Sequence, residues 1–210
     1  MSGSGQTQSR FRSRMAPPLG HALLLLGLLC GLLPRVSAHR LEEVLQGALI
    51  RIEPDRIHLE LDLTPAVVTV HRLERDLNPN RDDLISDPEA AAFSRTVARQ
   101  LRLRVDGRSI ALRRVQEAVP ALDALRDGDG VVHLVFEAPL PRLEPGEHRL
   151  EWHNGYRPGP SVYLTHAVMP ESPEVRIGHQ ERSRDQRRHR IRFSVSEATT
   201  DPRPGTPSSR

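Results

Sequence analysis

Between positions 78 and 89 the chain reads Asn78-Pro79-Asn80-Arg81-Asp82-Asp83-Leu84-Ile85-Ser86-Asp87-Pro88-Glu89, with oxygen-bearing side chains at the first, third, fifth, ninth and twelfth places. Oxygen donors at those places, a backbone carbonyl at the seventh and an aliphatic residue at the eighth are what a calcium ion takes from an EF-hand-type loop. In this frame the ligands are Asn78, Asn80, Asp82, the carbonyl of Leu84, Ser86 directly or through water, and the bidentate carboxylate of Glu89, with Ile85 at the eighth place. Two residues depart from the motif: Asn78 replaces an aspartate, and Asp83 stands where glycine normally supplies a positive φ. Aspartate tolerates that conformation better than most residues, at some strain. With Asp82 and Glu89 as the only charged ligands, the expected affinity is weak, on the order of 10⁻⁴ to 10⁻³ M. The competing reading is a decayed loop that now serves as a capped connector.

The second candidate chemistry is at His39. Cleavage after Ala38 would leave its imidazole beside a free α-amine, a chelating pair suited to copper or nickel. Further histidines at 58, 71, 133, 148, 153 and 166 supply a partner if one lies close in space, although none makes an H-x-H or H-x₃-H pair with His39. Catalytic motifs are missing: there is no G-x-S-x-G elbow, no H-E-x-x-H helix and no phosphate-cradling glycine loop. Ser109 and Ser161 have no evident base, and Glu60, Asp62 and Asp123 are scattered acids. The chain therefore reads as a non-enzyme. Trp152, Tyr156 and Tyr163 cluster in sequence and suit either a binding patch or, more simply, core packing.

The elements that must hold the loop are strands on the outside and helices next to it. Arg56 to Leu63 alternates strictly, with Ile57, Leu59, Leu61 and Leu63 on one face, and Val44 to Ile52 pairs with it through a Glu53-Pro54-Asp55 turn. Leu101, Leu103 and Val105 lead into Asp106-Gly107, a two-residue hairpin turn, and Ile110 and Leu112 return. Further strands are expected at 131–137, 147–152, 162–168, 175–179 and 189–195. A helix is expected from about Asp87 to Gln100, opened by the Ser86/Glu89 capping box, with Phe93 and Val97 on its inner face. A shorter turn carries Val70, Leu73 and Leu77, and Asp127-Gly128-Asp129-Gly130 reads as a turn without a calcium ligand set. The fold class is mainly β, an antiparallel β-sandwich or partly open barrel with one inserted helix–loop–helix element at about 70–100.

Residues 1–38 have the three parts of a secretion signal: Arg10, Arg12 and Arg14, an apolar run from Ala22 to Leu33, and small residues ending at Ala38. That run is roughly a dozen residues, short of the about 20 a membrane helix needs, so cleavage is expected rather than anchoring, and membrane association only through an uncleaved signal. The single cysteine, Cys30, lies inside it. The remaining 39–195 segment is then a cysteine-free β-rich domain, and 196–210, polar and proline-rich, a disordered tail. All 30 basic residues are arginine, which suggests a bacterial source, and the net charge is only +3. Acids and bases alternate, so nucleic acid is a poor partner; the cluster from Arg182 to Arg192 reads as a solvated hairpin tip.

The strings Ala38-His39-Arg40-Leu41-Glu42-Glu43, Ile52-Glu53-Pro54-Asp55-Arg56-Ile57 and Asp62-Leu63-Thr64-Pro65, the 78–89 loop, Leu103-Arg104-Val105-Asp106-Gly107-Arg108 and the segment from Tyr156 to Ala167 resemble a group of bacterial exported domains. Similar domains precede membrane domains of the HupE/UreJ nickel-permease type. The resemblance implies a periplasmic or secreted, β-rich domain with calcium-loop ancestry that acts through contacts with another envelope component. Because no membrane-length apolar run follows the signal, it does not imply transport.

Overall fold

The computed structural model describes residues 43–157 and 159–197. The signal at 1–38, His39 and most of the expected tail lie outside the described residues.

Ten strands form two five-stranded sheets. β1 (Val44–Ile52) and β2 (Arg56–Pro65) make the expected hairpin, paired from Val44↔Pro65 to Ile52↔Ile57. They belong to sheet A, completed by β5 (Arg113–Ala118), β6 (Val132–Pro139) and β8 (Ser161–Ala167) in the order β5-β6-β2-β1-β8. Sheet B takes β3 (Leu101–Val105), β4 (Arg108–Ile110), β7 (Gly146–Asn154), β9 (Val175–Arg182) and β10 (Arg188–Val195) in the order β4-β3-β7-β10-β9. Three α-helices, α1 (Val70–Leu77), α2 (Asp87–Ala98) and α3 (Leu122–Asp127), and a single 3-10 turn at Val67–Thr69 leading into α1 complete the described elements.

Alternation fixes what each strand buries. Ile57, Leu59, Leu61 and Leu63 of β2 lie opposite the inward residues of β1 and β6, and they join one core with Leu103, Leu150, Trp152, Ile191 and Phe193 of sheet B. The molecule is thus a mainly β, antiparallel-rich sandwich. One pair departs from the antiparallel expectation: β8 runs parallel to β1, from Val44↔Ser161 to Ile50↔Ala167. The chain leaves sheet B at the end of β7 and enters sheet A beside β1, a crossover that no local pattern announces. At that crossing Gly155 donates its backbone N–H to the Gln100 carbonyl at 3.0 Å, and a Cβ there would stand 2.4 Å from the same oxygen. Only glycine permits so close an approach.

The β3–β4 turn has Asp106 at φ 49° and Gly107 at φ 79°, the left-handed pair that matches hairpin twist. Two elements were not foreseen. β5 is exposed along most of its length and bulged between Arg114 and Gln116, so it shows no apolar alternation. α3 buries only Leu122 and Leu125. The Asp127–Gly130 string is the end of that helix rather than a free-standing turn: Gly128 is left-handed at φ 84°, and Asp129 N–H reaches back to the Ala124 carbonyl at 3.0 Å. α2 also stops at Ala98, short of Gln100, because Leu101 begins β3.

Candidate functional site

The 78–89 loop is bracketed as the sequence predicts. α1 places Val70, Leu73 and Leu77 against the core and ends at Asn78, whose N–H bonds the Glu74 carbonyl at 2.7 Å; Pro79 then prevents further helix. α2 starts after Ser86, an extended N-cap, and buries Ala90, Phe93 and Val97. The Glu89 Oε2 accepts both the Ser86 N–H at 3.0 Å and the Ser86 hydroxyl at 2.7 Å, which closes the capping box. The first and ninth loop places are therefore the C-cap of one helix and the N-cap of the next.

Inside the loop, the side chains at the first, third and fifth places hold the backbone. Asn78 Oδ1 accepts the Arg81 N–H at 3.0 Å, Asn80 Oδ1 the Asp82 N–H at 3.3 Å, and Asp82 Oδ1 the Leu84 N–H at 3.0 Å. Arg81 at φ 61° and Asp83 at φ 62° occupy the left-handed region between these turns. The sixth place thus adopts the conformation for which the motif reserves glycine, and aspartate bears it. Asp83 does not turn its carboxylate into the loop. Arg126 of α3 grips it at 2.8 Å and also pairs with Glu74 of α1, so the guanidinium holds its proton well above the ordinary range through those two hydrogen bonds. Arg126 lies far away in sequence, and nothing local could have marked it as a member of the site.

Asn78 is buried, Leu84 is exposed with its carbonyl at the seventh place, and Ile85 packs partly on the core. The donor set is oxygen throughout: two amides, a carbonyl, a hydroxyl and the carboxylates of Asp82 and Glu89, which suits a hard cation. Asn80 Nδ2 donates to Asp82 Oδ2 at 3.0 Å, so binding would exchange that bond and the Ser86–Glu89 bond for metal contacts.

The other candidates are dispersed. His58 and His133 lie on the outer face of sheet A beside Glu60, Glu137 and Asp62, while His71 is on α1 and His166 on β8. Among the described residues, no three His, Cys, Asp or Glu side chains gather as a metal cluster. His148 is locked: Nδ1 faces Asp106 Oδ2 at 2.7 Å, Nε2 faces the Glu144 carbonyl at 2.8 Å, and the ring stacks on Phe193 at 5.5 Å. Burial lowers its proton affinity, but the Asp106 bond, the Glu144 bond and the Asp106 charge outweigh it and the net shift is upward. His189, fully buried in β10, goes the other way, to about 4, chiefly by burial and then by the charges of Arg182 and His166.

Trp152, Tyr156 and Tyr163 are buried, which settles the aromatic cluster as packing. Tyr156 meets Phe93 edge-on at 5.9 Å, donates its hydroxyl to Asp76 at 3.0 Å and accepts the Tyr163 hydroxyl on its carbonyl at 2.9 Å. Gln46 and Asn154 complete this buried seam between the sheets: Asn154 Nδ2 donates to Gln46 Oε1 at 2.9 Å, and Gln46 Nε2 donates to the Tyr156 carbonyl at 3.2 Å. An open cleft of about 690 Å³ lies beside it, lined by Ser161, Tyr163, Arg157 and Arg187 among others. Ser161 there donates to the Gly159 carbonyl, and Ser109 accepts from Arg104. Asp123 is exposed on α3.

The fold and loop together define an antiparallel-rich β-sandwich with a helix–loop–helix insertion. No family model, no curated protein and no solved structure matches the chain.

Proposed function

We propose that this chain is an exported, non-catalytic β-sandwich domain whose 78–89 loop binds calcium weakly and which acts by contact with another component of the cell envelope. The observation that supports it best is the left-handed geometry of Arg81 and Asp83, alternating with the three side-chain turns of Asn78, Asn80 and Asp82. A connector needs a cap at each end, which this loop has; it does not need two strained residues between its oxygen donors. Asn78, Asn80, Asp82, the Leu84 carbonyl, Ser86 and Glu89 would hold the ion, which supplies a local positive charge and a cross-link between α1 and α2. The signal-like residues 1–38 and the resemblance to exported domains favour the envelope.

The test is thermal melting of the purified protein with excess chelator and then with calcium. At a dissociation constant of about 0.5 mM, about 5 mM calcium stabilises by roughly 1.4 kcal/mol, a rise of a few degrees. Asp82→Asn and Glu89→Gln keep hydrogen-bonding groups in place while removing charge, and each is expected to abolish the shift. An unchanged melting temperature in wild-type protein would reduce the loop to a connector.

A further inference from the structure

The outward side chains of sheet B form a field of arginines. Cross-strand register places Arg102, His153 and Arg188 in one row, Arg104, Glu151, Arg190 and Glu181 in the next, and Arg149 opposite Arg192 in a third. Strands sit about 4.8 Å apart and same-face residues about 6.6 Å apart along a strand, so these groups tile a surface in two dimensions. Six arginines stand against two glutamates, a larger positive excess than the +3 of the whole chain. Glu151 is paired with Arg149 at 3.2 Å, and Glu181 with His179 at 3.2 Å and Arg190 at 3.9 Å. Arg102, Arg104, Arg188 and Arg192 meet no carboxylate at ion-pair distance among the described residues. The basic region is therefore wider than the hairpin tip that the Arg182–Arg192 string suggests: three strands far apart in sequence build it.

We infer that this face docks the protein on an anionic lipid surface. Arginines spread over a sheet match a plane of phosphates, each able to take a forked guanidinium contact, better than they match one linear strand. No aromatic ring is turned outward there for stacking nucleic-acid bases: Trp152 points into the core and is 2% exposed. None of the exposed large apolar side chains among the described residues lies on these strands, so contact stops at the headgroups and is held by charge. Such binding is reversible and screened by salt. It is independent of the calcium loop.

The experiment is cosedimentation of the full chain with vesicles of phosphatidylcholine alone and with vesicles half phosphatidylglycerol. The apolar run from Ala22 to Leu33 is present throughout, so the neutral vesicles measure its share. Binding is expected to need the anionic lipid, to disappear at about 0.5 M salt, and to weaken roughly 10- to 30-fold in an Arg188→Gln/Arg190→Gln double variant. Arg102→Gln, on a different strand, is expected to weaken it by about fivefold; melting curves of both variants check that the fold survives. Equal binding to neutral vesicles, full binding by the variants, or capture by single-stranded DNA or dextran sulfate without vesicle binding would each overturn the inference.

Discussion

Sheet A turns Leu45, Leu49, Val162 and Leu164 outward, each between 37% and 40% exposed, beside Glu60, Asp62 and Glu137; sheet B turns arginines outward in every row from Arg102 to Arg192. Both sheets are laid down by the same alternation, and both bury an apolar inner face in the same core. The inner positions obey the fold. The outer ones are free of it, so their chemistry records something else. On sheet A, Arg51 meets Glu171 at 2.6 Å and Arg114 pairs with Glu117, whereas four of the arginines on sheet B have no acid at ion-pair distance among the described residues. A surface that served folding alone would look like the first face rather than the second, because like charges on opposed strands cost stability.

The largest effects belong to what the two sheets share. Leu61→Ala in the centre of sheet A is expected to cost about 2–5 kcal/mol and Trp152→Ala in sheet B about 3–5 kcal/mol, from lost burial and the cavity left behind. Glu60→Ala, next to Leu61, and Arg190→Ala, opposite the Glu151 that precedes Trp152, are expected to stay within about 0.5 kcal/mol. Urea unfolding of the four variants checks this, and a large loss from either outward change would break the division between inner and outer faces.

Acid separates the sheets next. His189 takes a proton near 6.5 in the unfolded chain but only near about 4 in sheet B. Between those values protons favour the unfolded state, so stability falls as the pH drops through that window, by roughly 2–3 kcal/mol in total. His148 acts in the opposite sense: its upward shift gives stability that is complete below 6.5 and is lost as the pH rises through the folded value. Asp106, pulled down net by the His148 and Arg149 hydrogen bonds against the opposing effect of burial, keeps its contribution above 3.8 and loses it as the pH falls through its folded value. Melting temperatures from pH 4 to 8 are expected to lose the acid-side slope in His189→Gln and the alkaline-side decline in Asp106→Asn. If both profiles matched the wild type, the buried charge states assigned to sheet B would be wrong.

Much of this framework can be read from periodicity. The β1–β2 hairpin, the Asp106-Gly107 turn and the Ser86/Glu89 box are local devices, each complete within a few residues, and each sits where spacing predicts it. What escaped notice is non-local or lacks a pattern. β5 has no buried alternation, α3 is one short turn with two buried leucines, and the parallel β1–β8 pair depends on a crossing between sheets. The candidate loop divides the same way: its donors and caps are legible as a string, while the Arg126 clamp on Asp83 comes from a different helix. The arginine field shows the principle most clearly, since each strand contributes only an ordinary polar alternation and the charge excess exists only once β3, β7 and β10 lie side by side.

The smallest effect is the sharpest test of that field. Arg192 stands directly opposite Arg149 on the outward face, with no acid of its own at ion-pair distance among the described residues. Arg192→Glu replaces a like-charge pair with an opposite-charge pair, and such a cross-strand change is expected to raise stability by about 0.5 kcal/mol. If Arg192 instead supported the sheet through its side-chain stem, the substitution would lower stability by removing packing. Denaturant midpoints at low and high salt distinguish the two, because the electrostatic gain shrinks as charges are screened and a packing loss does not. A variant that is more stable yet binds anionic vesicles less well would mean that the wild-type residue is kept at a cost to folding, which is what a surface selected for binding predicts.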